Sequence, residues 1–248
     1  MRHLLLIAMT ALSAPALAVP ITIDITGVIT RYEGWYDNLE TVDHTSTLTN
    51  PYITASITFD RSLAPAPMTE SGTGWNALMY TSTGLPLAEF AIGSFTWENG
   101  TLVPEMPADI PGGASVLGDR LHLTNLFNEE DGFTIGDIVS WGLGLAAYQQ
   151  AIVLGFYGDF LPGADVPSGS ELPDLAAMRG EFLVVSRTYD DVAGAAIGGG
   201  FILNGQVTSV STRIARQVPE PASAMLLLAG FVGLGVIRGR AADQRRRA

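Results

Sequence analysis

The chain has 248 residues, 47% of them hydrophobic, with no cysteine and a formal net charge of −12. The missing cysteines exclude disulfides, a thiol nucleophile and any cysteine-ligated metal. The acid excess argues against nucleic acid and anionic lipid as partners, and suits a soluble body at a crowded surface or one that attracts divalent cations.

Met1-Arg2-His3 is a short basic start, residues 4–12 are apolar apart from Thr10, and Ala16-Leu17-Ala18 offers a small-x-small cleavage site. That order predicts a signal peptide over residues 1–18, with signal peptidase cutting after Ala18. The apolar run is too short to span a bilayer as an anchor.

Residues 19–217 hold seven Arg against 23 Asp and Glu, a net charge of −16. This length is enough for one substantial core, and we expect a single domain. There is no lysine in the chain, so sheet edges must be guarded by acids, arginine, proline or short strands.

The body reads as β throughout. Residues 21–30 alternate apolar and polar side chains around Gly27, and residues 52–59 set Ile53, Ala55, Ile57 and Phe59 against Thr54, Ser56 and Thr58. Further strands are predicted over 77–81, 87–97, 120–126, 133–141, 150–157, 181–189 and 201–214, rich in β-branched and aromatic residues and bounded by Gly, Pro, Asn and Asp. Asn99-Gly100 reads as a hairpin turn, and residues 172–178 as one short helical turn. The long loops at 62–74, 104–118, 158–173 and 190–200 leave room for short strands that the pattern does not reveal. The expectation is an all-β fold, a single antiparallel β-sandwich of jelly-roll or immunoglobulin-like kind, with a closed barrel as the alternative.

Residues 25–30 (Ile-Thr-Gly-Val-Ile-Thr) echo residues 203–208 (Leu-Asn-Gly-Gln-Val-Thr), each centring a glycine in a strand. Such a glycine marks a bulge or a close backbone approach. The echo predicts that the first and last strands share a sheet.

Signals for chemistry in the body are sparse. The mature chain has only His44 and His122, with no zinc-ligand spacing and no Gly-x-Ser-x-Gly elbow. Catalytic residues are therefore expected to be absent. Glu129, Glu130 and Asp131, with Asp137, Asp159 and the Asp190-Asp191 pair, offer hard oxygen ligands for Ca²⁺. The acids between Leu126 and Phe133 read first as a solvated turn. Tyr32, Trp35 and Tyr36 lie in what reads as a loop after the first strand, where aromatics suit either core packing or a ligand rim. Trp75, Trp97 and Trp141 read as core.

At the C-terminus, Val218-Pro219-Glu220-Pro221 precedes an uncharged stretch, residues 222–237, and then Arg238, Arg240, Arg245, Arg246 and Arg247. The prolines hold the backbone extended, so a helix starts only after them. Residues 222–237 as a helix would be about 24 Å long, near a bilayer core once Arg238 snorkels. The arginines place the tail on the cytoplasmic side and the body outside.

Triplet, apolar span and basic tail together resemble the PEP-CTERM sorting signal, a segment also labelled after ice-binding proteins. That resemblance covers about thirty residues. It implies a bacterial exosortase, a membrane protease, as processing partner. Cleavage near Val218–Pro221 and delivery to the cell surface or an exopolysaccharide matrix would follow.

Overall fold

Alternation of apolar and hydroxyl-bearing side chains produces, in a computed structural model, an antiparallel all-β body. The structure describes residues 20–35, 41–83, 89–105, 117–126, 129–143, 146–161, 172–190 and 196–215. Residues Ala18–Ile214 form one unit. The signal-peptide site at Ala16 and Ala18, the Val218–Pro221 motif, the apolar stretch 222–237 and the arginine tail all lie outside the described residues. Among the described residues, no helix is long and apolar enough to cross a membrane.

The strands are β1 (Ile21–Trp35), β2 (Thr41–Asp43), β3 (Tyr52–Phe59), β4 (Met68–Gly72), β5 (Trp75–Thr83) and β6 (Ala91–Trp97). They continue as β7 (Gly100–Leu102), β8 (Leu117–Leu126), β9 (Asp131–Leu143), β10 (Ala146–Gly158), β11 (Arg179–Asp190) and β12 (Ala196–Ile214). All belong to one sheet in the order β4-β5-β8-β9-β10-β11-β12-β1-β3-β6-β7, with β2 on the far half of β1. Every ladder is antiparallel.

The path ends at β4 and β7, and no ladder among the described residues joins them into a barrel. Both end strands are short, β4 carries Glu70, and Pro104 follows β7. That is how a chain without lysine blunts its edges. β4 lies inside a segment read as loop, because its side chains are all exposed and give no alternation. The Asn99-Gly100 hairpin is present, with Trp97 opposite Gly100 at φ +140°. The predicted helical turn appears as a 3₁₀ turn at Leu175–Ala177.

The sheet folds back so that β6 lies over β9 and β10. The core fills the space between, with Phe95 against Phe182 at 5.3 Å between ring centroids and Phe133 against Phe156 at 6.3 Å. Ile23, Ile57, Ile135, Ile152, Leu154 and Val184 are fully buried around them. A smaller cluster of Ile138, Ala151 and Val185 lies on the opposite face of the sheet.

First and last strands pair directly, from Ile21 opposite Ile214 to Trp35 opposite Gly200, with register shifts after Thr26 and after Ile29. The echoed glycines explain this ladder. A Cβ on Gly27 would lie 2.9 Å from Phe182 Cε1, and one on Gly205 would lie 2.3 Å from Phe182 Cζ. Each glycine therefore makes room for the same ring, and the repeat in the sequence is a packing site.

Candidate functional site

β1 runs on through Trp35 because β12 and β2 flank its second half, so Tyr32 and Trp35 stand in a strand where a loop was expected. The Tyr32 ring packs on His44 at 5.4 Å and edge-on to Phe201 at 6.4 Å. Its amide donates to Thr45 Oγ1 at 2.8 Å. Tyr36 lies outside the described residues. Trp97 packs on Phe95 and Phe201, and Trp141 stacks on its cross-strand neighbour Tyr148 at 5.4 Å.

The acidic turn is less open than its composition suggests. Asp131 is only 2% exposed. Its carboxylate accepts the amides of Leu126 (3.3 Å), Phe160 (2.9 Å) and Leu161 (2.7 Å). Glu130 pairs with Arg179 at 3.3 Å, and Glu129 is exposed. Asp190 closes the β10–β11 ladder opposite Ala146, and Asp191 lies outside the described residues. Among the described residues, no three His, Asp or Glu side chains converge as metal ligands. His122 on β8 is half-buried, and burial and the nearby Arg120 lower its pKa.

The strongest electrostatic feature is a carboxyl pair. Asp119 and Asp137 are 3% and 4% exposed. They lie one step beyond the Arg120–Gly136 pair of the β8–β9 ladder. Strand alternation aims both inward, Asp119 in phase with Leu121 and Leu123, Asp137 in phase with Phe133 and Ile135. Asp119 Oδ2 accepts the amides of Phe90 (2.9 Å) and Ala91 (3.0 Å), and Asp137 Oδ2 accepts the amide of Gly93. β7 reaches only residues 95–97 of β6. The carboxyls thus take backbone donors beyond the reach of β7 and tie β6 to the facing layer. Gly93 permits the approach, since a Cβ there would lie 3.2 Å from Asp137 Oδ2.

Burial pushes Asp119 up to about 6 and, with the neighbouring Asp119 charge, Asp137 up to about 8. The two also hydrogen-bond each other, with Asp137 the protonated donor. Two carboxyls in direct contact leave no room for a sugar and water between them, as glycoside hydrolysis requires. This arrangement suits a proton-sharing clasp.

A different kind of surface covers the outer face of β12, β1, β3 and β6. Register sets Ser211, Asp24, Ser56 and Ser94 in one row, and Ser209, Thr26, Thr54 and Thr96 in the next. Thr101 on β7 extends the second row by a 3.1 Å hydroxyl contact with Thr96. Asp24 and Arg213 form the row's ion pair. At one end Tyr52 is 67% exposed. It borders a groove of about 550 Å³ that includes Thr26, Thr54, Thr96 and Thr208.

No family model, no curated protein and no solved structure matches this chain. Both the clasp and the hydroxyl face were missed as sites from sequence. The signal for the clasp was available: acids standing at apolar phases of strands. Serine and threonine were visible on each outer strand, but their alignment into rows depends on register.

Proposed function

We propose that this chain is an exported, non-enzymatic protein, sorted to the cell surface by its C-terminal signal and acting in the cell envelope or the exopolysaccharide matrix. Signal peptidase removes residues 1–18, and an exosortase-type protease acts at Val218–Pro221. Before that step residues 222–237 hold the chain in the inner membrane with the body outside. The folded-back antiparallel sheet is read as a single β-sandwich. No catalytic residue and no cofactor is assigned.

The observation that carries this reading is the order of signals: a cleavable leader, an acidic body without cysteine, then Pro-Glu-Pro, an apolar span and five arginines. The engagement of Asp119, Asp131 and Asp137 with backbone amides supports the non-enzymatic part, since these buried acids already serve the fold. Mass spectrometry of native protein from the cell surface tests the processing. A mature C-terminus close to Pro221 is expected, and surface material ending at Ala248 overturns it.

A further inference from the structure

From the hydroxyl rows and the Tyr52 groove, we infer that the outer face of β12, β1, β3 and β6 is a binding surface for an uncharged polysaccharide strand, with Tyr52 as its stacking platform. The inference deepens the matrix reading and rests on it only for the setting.

The backbone that carries the aromatic anchor is fixed in place. Tyr52 opens β3, and its amide donates to Asn50 Oδ1 at 3.1 Å. Asn50 and Thr49 are held in turn by Glu98, whose carboxylate accepts both of their amides and the Thr49 hydroxyl. Those bonds keep the Glu98 pKa below its ordinary value, the Thr49 hydroxyl contributing most. A tyrosine on a braced strand start has only its two side-chain torsions to order on binding. Such a ring offers an apolar face and a polar tip, as the C–H face and hydroxyl edge of a sugar require.

Beyond the ring, hydroxyls recur at strand spacing, about 4.8 Å across the sheet, and about 7 Å along each strand. Each can donate and accept. A flat array of this kind meets a polymer that itself carries hydroxyls in both roles. The grooves along it, about 350 Å³ and about 550 Å³, share Thr26, Thr54 and Thr96 and so run on from one to the other.

Charge selects the class of polymer. The chain is strongly acidic overall, which opposes an anionic strand. Across the rows, Asp24 is matched by Arg213, which grips it through Nε and a second contact of 3.0 Å from Nη2. What remains in the rows is hydroxyl, the Glu98 carboxylate in the Tyr52 groove being engaged by Thr49 and Asn50, and a neutral occupant loses no ionic hydration there.

Affinity electrophoresis of the full-length chain, kept in a polyoxyethylene detergent so that no sugar headgroup competes, tests this. The gels contain hydroxyethyl cellulose, laminarin, dextran or, as the acidic comparison, polygalacturonate. Retarded migration is expected in at least one neutral gel and not in polygalacturonate. Tyr52→Ala should abolish the retardation and Thr54→Val should weaken it, both with the melting temperature held. Met68→Ala, at another exposed hydrophobic side chain on β4, the opposite end of the strand order, should leave it intact. Normal migration in all neutral gels overturns the inference, as does retardation that survives Tyr52→Ala or appears only with the acidic polymer. A dimer in size-exclusion chromatography that Tyr52→Ala dissolves would assign the face to a second copy of the chain instead. Because retardation is read in vitro, it stands or falls apart from processing at Val218–Pro221.

Discussion

Asp137 donates a hydrogen bond to Asp119 across β8 and β9, and together the two carboxyls hold three backbone amides of the facing layer. This is a polar tie inside an apolar core, made tolerable by one retained proton.

The tie makes stability depend on pH with a definite sign. Both folded pKa values, about 6 and about 8, lie above the unfolded value of 3.8. The folded chain therefore holds more protons than the unfolded chain across that window, and stability falls as pH rises through it. His122, with a lowered pKa, acts oppositely below its unfolded value of 6.5, so the cleanest window is pH 7 to 8.5. There the wild type should lose melting temperature with rising pH, at most about 1.4 kcal/mol per pH unit for the one proton. Asp137→Asn keeps a donor for Asp119 and an acceptor for Gly93, and should flatten the slope. An unchanged slope in that variant would count against proton sharing.

Gly27 and Gly205 leave space for the Phe182 ring. Gly205→Ala places a methyl 2.1 Å from the Val28 carbonyl oxygen as well, and that backbone oxygen together with the buried Phe182 ring prevents easy relief. A loss of about 1–3 kcal/mol in urea unfolding is expected from such overpacking. Phe182→Ala in the same place should cost about 3–5 kcal/mol. The double variant should cost less than the sum, because the methyl then enters space vacated by the ring.

Asp131 holds the amides of Phe160 and Leu161 after β10. Asp131→Ala should destabilise by about 1–3 kcal/mol, since it leaves buried donors unpaired. Asp131→Asn retains an acceptor and should cost less. With those lone pairs engaged, millimolar Ca²⁺ should leave the melting temperature of the wild type unchanged. A concentration-dependent rise would mark a metal site.

The Asp24–Arg213 pair crosses the first and last strands on an exposed face. Arg213→Gln should shift the melting temperature only slightly, and less still at high salt. A larger, salt-insensitive loss in the melts would show that the pair does more than sit at the surface.

Much of the β content was legible because strands buried on one face impose a period of two. Ile53, Ala55, Ile57 and Phe59 are all buried as the alternation requires. Extent was harder to read. β1 exceeds its predicted end by five residues, since the backbone of Arg31 and Glu33 pairs with β12, and that of Glu33 with β2 as well, where the side-chain pattern turns polar. The placement of Asp137 was obscured for a related reason: an acid near other acids reads as solvated turn until its facing strand is known.

Sequence alone determined the all-β character, the placing of the first and last strands in one sheet from their matched glycines, and the sorting expectation carried by both termini. Tertiary structure decided which side chains meet. Only the fold-back of the sheet brings the amides of Phe90, Ala91 and Gly93 over Asp119 and Asp137, and only strand register gathers scattered serines and threonines into rows. The reason is physical. Strand periodicity is a local property of neighbouring residues, whereas burial of a carboxyl and alignment of hydroxyls arise from contacts between residues far apart in the chain.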